Sequence, residues 1–161
     1  MQPFEKSLEG IRAELSIGYE TIRVYRAPDL KSLQIGYSIS PTGESLTGEK
    51  EGDWLKKWIV IGYGECCGDP IFIDSTAEGF PVYTAIHGEG SWNAKRIAVS
   101  LEQFGLALSA VAEAAKGRES PVLIENNPIT ESEKQTTLAT IEHLNPGIDL
   151  EFWKILLGYD A

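Results

Sequence analysis

The sequence predicts an α+β fold, a central antiparallel sheet flanked by an N-terminal helix and C-terminal helices. Three observations predict it. Helical periodicity sits at the two ends of the chain. The middle is built of short β-branched and aromatic runs punctuated by glycine. The linkers between those runs are shorter than the dozen or more residues a parallel crossover needs, so neighbouring strands are antiparallel.

The elements follow in order. Residues 4–17 read as a first helix, with Leu8, Ile11 and Leu15 at helical spacing. Thr21 to Ala27 alternates weakly through Ile22 and Val24, as a strand or a helix end, until Pro28 breaks it. Leu33, Ile35, Tyr37 and Ile39 alternate with polar or small residues, the pattern of a half-buried strand closed by the turn Pro41-Thr42-Gly43-Glu44. Glu44 to Asp53 is polar and reads as an exposed loop. Trp58 to Tyr63 is a buried strand, Ile71 to Asp74 a second and Pro81 to His87 a third. In the last, Val82, Thr84 and Ile86 share one face, and Tyr83, Ala85 and His87 the other.

The strongest helix follows. Ser100 and Gln103 form a capping box, with Val99 and Phe104 placed as a hydrophobic staple. Leu101, Phe104, Leu108, Val111 and Ala115 make the apolar stripe, and Gly117 supplies the stop. A second capping box, Thr130 to Glu133, opens a helix to about Leu144, ended by Asn145-Pro146. Asp149 caps a short apolar helix through Leu157. With 161 residues and no internal repeat, residues 1–161 form a single domain.

Charge narrows the function. Acidic residues number 24 against 14 basic ones, a net charge of −10, which repels nucleic acid and anionic membranes. It favours either solubility alone or a basic protein partner. The start of the chain, Met1-Gln2-Pro3-Phe4-Glu5, has no basic region followed by an apolar one, so no signal peptide is expected. No apolar run approaches the ~20 residues of a membrane span. Cys66 and Cys67 are the only cysteines, and the chain reads as cytoplasmic.

The soft metal ligands are limited to Cys66, Cys67, His87 and His143, which lack the short-spaced pairs of a zinc site. Gly64 to Gly68 lacks the P-loop lysine, so no nucleotide cofactor, and no cofactor of any kind, is expected. Cys67 and His87 could approach across the sheet as a nucleophile pair, but inert thiols beside a strand are commoner. No catalytic residue is assigned.

The residues that stand out suit binding. No lysine or arginine occurs between Trp58 and Ala94, while Glu65, Asp69, Asp74, Glu78 and Glu89 fall within that window. Trp54 and Trp92 lie beside polar loops, where tryptophan either anchors an interface or seals a sheet edge. With Tyr83 and His87 they would form an aromatic patch rimmed by acids. Asp69 and Asp74 either bond a partner or organise the turns around them, and His87 either meets a partner or bonds backbone at a strand end.

Gly68-Asp69-Pro70-Ile71-Phe72-Ile73-Asp74, then Pro81-Val82-Tyr83, His87-Gly88 and Trp92, and Ile97-Ala98-Val99-Ser100-Leu101-Glu102-Gln103-Phe104 together resemble the SUKH superfamily. This group includes bacterial relatives of the yeast cell-wall assembly regulators. The resemblance covers about a third of the chain and rests on order and spacing, since no single motif is specific. It implies an α+β fold and a non-enzymatic protein-binding role. Many bacterial members are thought to be immunity proteins that neutralise toxins, often nucleases. The alternatives are a regulatory or scaffold module with an endogenous partner, or a small-molecule-binding protein or hydrolase built on Cys67, His87 and the aspartates. The leucine-proline and asparagine-glycine-glycine turn that many members carry after the first helix is missing, and Ala27-Pro28-Asp29-Leu30 only weakly echoes it.

Overall fold

A computed structural model describes residues 2–160. The first helix, α1 (Pro3–Glu9), is shorter than its periodicity suggests. Gly10 caps it, and Leu15 lies instead in strand β1 (Glu14–Ile17). Leu8, Ile11 and Leu15 still enter one core, but from a helix, a linker and a strand. The helical spacing therefore reports shared burial rather than one continuous helix. A two-residue turn, Gly18-Tyr19, joins β1 to β2 (Glu20–Val24), with Gly18 at φ +56 where a side chain would be strained.

Four further strands, β3 (Trp58–Gly64), β4 (Pro70–Asp74), β5 (Val82–Thr84) and β6 (Lys95–Ala98), complete one sheet in the order β1-β2-β3-β4-β5-β6. Every neighbouring pair is antiparallel, as the short linkers require. The third expected strand is trimmed to Val82–Thr84, because the chain leaves the sheet before the exposed Ile86 and His87. β6 occupies what the sequence presents as the run-in to the strong helix.

No strand forms over Leu33 to Ile39. A 3-10 turn (Ala27–Asp29) leads into the one-turn helix α2 (Leu30–Leu33), and an irregular segment then crosses the sheet as far as β3. The reason lies at Val60. Past Tyr25, whose N–H still donates to Ile61 C=O, the chain leaves the edge of β3, and the Gln34 side chain takes its place. Its Oε1 accepts from Val60 N–H at 2.9 Å, and its Nε2 donates to Val60 C=O at 2.8 Å and Leu30 C=O at 2.9 Å. One amide thus supplies what a strand would have supplied, and the alternating residues are free to fold over the sheet.

The C-terminal half packs α3 (Leu101–Ala115), α4 (Pro121–Asn126), α5 (Glu131–Leu144) and α6 (Glu151–Leu156) around the main core. α4 had no counterpart in the sequence reading. Thr130 and Glu133 form the expected reciprocal cap. Ser100 caps α3, but Gln103 does not return the bond; it donates to Leu144 C=O at 2.9 Å and ties α5 to α3. Asp149 accepts from Glu151 N–H at 2.9 Å, one residue ahead of the N-cap, Leu150. Buried Arg118 gathers this half. It donates to Ala114, Asn127 and Pro128 carbonyls and forks onto both oxygens of Glu133, at 2.7 and 3.0 Å.

The sheet has a core on each face. Leu15, Ile17, Ile22, Val24, Ile61, Ile71, Ile73, Val82 and Ile97 face the helices. On the opposite face, Val60, Phe72 and Ala85 form a smaller core with Trp54 under the irregular segment. No helix is long and apolar enough to cross a membrane among the described residues.

Candidate functional site

Two acids that the sequence places in a basic-free window, Glu65 and Asp74, acquire basic partners from outside it. Glu65 pairs with Arg23 of β2. Asp74 at the end of β4 pairs with Lys57 at 2.9 Å and accepts from Thr76 N–H, Thr76 Oγ1 and Ala77 N–H. Burial pushes its carboxyl up, but hydrogen bonds from Thr76 and Lys57 outweigh that and hold it below the usual carboxylate range. Asp69 receives His87 N–H at 3.0 Å and meets His87 Nδ1 at 2.7 Å. Asp69 and Asp74 thus organise the turns around them, and Glu65 ties the β3–β4 hairpin to β2. Among the described residues, no hydrogen bond or ion pair reaches the side chains of Glu78 or Glu89, both exposed.

The aromatic candidates come together, but not as an open patch. Trp54 is only 2% exposed. Its ring touches Phe72, Tyr37, Trp58 and Trp92 with centroids 4.6, 5.1, 5.2 and 5.2 Å away, and its Nε1–H donates to Trp58 C=O at 3.3 Å. A tryptophan so enclosed packs and cannot anchor a partner, so the expectation for Trp54 is corrected. Trp92 and Tyr83 are half-buried at the border of the same cluster, with Tyr83 stacked on Phe72 at 5.9 Å. His87 lies outside this cluster, bonded to Asp69, so the four do not form one surface.

What the fold assembles instead is a pair of touching loops over this small core. Trp92 N–H donates to Gly52 C=O at 2.8 Å, and a Cβ on Gly52 would sit 2.9 Å from Cβ of Ser91. Residues 48–53 and 87–92 therefore meet and form one surface. It carries Glu49, Glu51, Asp53 and Glu89 against a single lysine, Lys50. Asp53 turns back to accept from Lys50 N–H at 2.9 Å, which leaves Glu49, Glu51 and Glu89 exposed. The sequence reading recognised Glu89 but passed over Glu49 and Glu51, because nothing local shows that their loop meets residues 87–92.

No family model matches the chain, and no curated protein or solved structure matches it either.

Cys66 and Cys67 are exposed free thiols at the tip of the β3–β4 hairpin. The hydrogen bond that the Cys67 S–H donates to Cys66, with the nearby negative charges of Asp69 and Glu20, pushes the Cys67 thiol up and disfavours its nucleophilic thiolate. Among the described residues, no three His, Cys, Asp or Glu side chains are placed to hold a metal ion. One groove lies along β1 and α3 and another between α1 and α2, and neither is lined by Cys67, His87, Asp69 or Asp74.

Proposed function

We propose that this protein is a non-enzymatic protein-binding module that neutralises a basic toxin domain, such as a nuclease, by occlusion, in the manner of the SUKH immunity proteins it resembles. One observation carries the reading: an acidic pair of loops, with Glu49, Glu51 and Glu89 exposed, stands on a tightly packed aromatic core. A rigid acidic platform loses little freedom on binding, and its charge steers a basic partner toward it. Trp92, half-buried where the loops meet, is the residue placed to be covered on contact. Asp69 supports this surface through its bonds to His87, whereas Asp74 and Glu65 are paired elsewhere with Lys57 and Arg23.

The test is co-expression with toxins encoded beside the gene. A toxin should co-purify and lose activity, and the Glu49→Lys/Glu51→Lys/Glu89→Lys variant should bind at least tenfold more weakly while remaining folded. Undiminished binding by that variant rejects the surface. Failure to bind any neighbouring toxin, together with a stable complex with an endogenous protein, rejects the immunity role in favour of a regulatory module.

A further inference from the structure

The turn between β3 and β4 carries the chain's two cysteines on consecutive residues, Cys66 and Cys67, both exposed and free. Several bonds hold this turn. Gly68 N–H donates to Gly64 C=O at 2.8 Å and Gly64 N–H to Asp69 C=O at 3.2 Å, with Gly68 at φ +75. The start of β2 fixes the rest. Glu65 N–H donates to Thr21 C=O at 2.9 Å, and Glu20 Oε1 accepts from Cys66 N–H at 2.9 Å and from Thr21 N–H at 2.8 Å. Cys67 S–H donates to Cys66, so the two sulfurs lie side by side at the tip. The pair is therefore presented ready-made to solvent.

The surroundings decide which thiol chemistry suits it. Arg23, the base that reaches this corner, is taken up by Glu14 and Glu65. What acts on Cys67 is the negative charge of Asp69 and Glu20, which disfavours the thiolate that disulfide exchange requires. Direct S–S closure is also strained, because the peptide between the two residues is trans. Consecutive Cα atoms then stand about 3.8 Å apart, inside the roughly 4.4–6.8 Å of ordinary disulfides. Zinc needs about four ligands, whereas among the described residues no cluster of three His, Cys, Asp or Glu is placed to hold a metal. A centre that takes only two adjacent sulfurs from the protein meets none of these obstacles.

We propose that Cys66 and Cys67 form a chelating dithiol site for trivalent arsenic, as arsenous acid or an organoarsenical dihydroxide. Trivalent arsenic is soft and pyramidal, so it prefers thiol ligands and holds them on one side. In the binding step two As–S bonds form while two As–OH and two S–H bonds break, and the protons leave with the hydroxides as water. Arsenic stays trivalent and sulfur keeps its oxidation level, so no oxidant or reductant takes part. The third bond keeps its hydroxide or organic group. Because the thiol protons are consumed in making water, the carboxylates that hold the Cys67 thiol up do not block the exchange. Arsenous acid is uncharged at neutral pH, so a chain of charge −10 does not repel it as it would an anion. An arsenic atom between the sulfurs lengthens the link and relieves the short closure that strains a direct S–S bond. The site needs no protein partner and stands or falls independently of the proposed toxin-binding loops.

Titration of the reduced full chain with phenylarsine oxide, read by intact mass and by counting free thiols, tests it. One phenylarsenic group should add per chain, and both thiols should disappear together. The adduct should survive excess glutathione, a monothiol, and be stripped by a small dithiol. Cys66→Ser and Cys67→Ser should each weaken binding by roughly 10²-fold or more, since each leaves a single attachment without the effective concentration of the second thiol. Both side chains are exposed, so these variants should keep the wild-type urea midpoint. A folded wild type that takes up no phenylarsenic overturns the proposal. So do thiols that titrate one at a time, an adduct that glutathione strips, or a single-cysteine variant that binds like wild type.

Discussion

Gln34→Ala puts the structure to its most direct test. The wild-type amide makes bonds of 2.9, 2.8 and 2.9 Å that satisfy both backbone groups of Val60 and the Leu30 carbonyl. Val60 is 1% exposed, so truncation leaves its N–H and C=O without partners in a place water reaches poorly. An orphaned buried polar group costs about 1–3 kcal/mol, and partial hydration of the new space recovers some of that. The expected loss is roughly 2–4 kcal/mol, or a fall in Tm of about 6–12 °C for a chain of this size. Urea unfolding should show a lower midpoint with an unchanged slope.

Gln34→Glu sharpens the test. A carboxylate can accept from Val60 N–H but repels Val60 C=O, so the fold needs the protonated acid. The folded-state pKa of that glutamate is then raised above its unfolded value. Its stabilising contribution is present below the unfolded value of about 4.3 and lost as pH rises through the folded one. A Gln34→Ala loss under ~0.5 kcal/mol, or a Gln34→Glu profile parallel to wild type, would refute the view that this side chain replaces a strand.

Trp54→Ala should cost about 3–5 kcal/mol in denaturant unfolding, because the ring is the centre of the small core; a near-neutral result would mean that core is loose. Gly62→Ala should destabilise by about 3 kcal/mol or more, since a Cβ there collides with the Arg23 carbonyl oxygen and lies 3.0 Å from its carbon, forcing β2 off β3. Ordinary thermal stability in that variant would contradict the pairing. The hydrogen bond from Arg118, with those from Thr130, lowers the Glu133 carboxyl to about 2. A depressed carboxylate contributes fully above its unfolded pKa of about 4.3 and loses that contribution as pH falls toward about 2. Wild type should therefore lose more Tm across that window than Glu133→Gln, and parallel curves would argue against the Arg118 fork.

Local signals in the sequence were read correctly where the physics is local. Ser100 and Thr130 cap their helices because cap and acceptor lie within one turn, and Trp58 to Tyr63 and Ile71 to Asp74 form strands because glycines and turns bound them. The misreadings share one cause. Leu8, Ile11 and Leu15 are spaced as in a helix because all three are buried, whereas Gly10 divides them between a helix and a strand. Leu33 to Ile39 alternate like a strand, yet Gln34 already occupies the free edge of β3.

The site was legible only as an inventory of residues. A window without lysine or arginine looked acidic in one dimension, but Arg23 and Lys57 reach into it from neighbouring segments and pair with Glu65 and Asp74. Trp54 and Trp92 looked alike beside polar loops, and the packing of the irregular segment buries one more deeply than the other. By itself the sequence determined the α+β class, the antiparallel sense of the strands and the capped helices, because each follows from residues a few positions apart. Only the tertiary structure decided which acids remain open and which aromatics are core. Those properties depend on contacts between residues distant in the chain, and no local pattern encodes them.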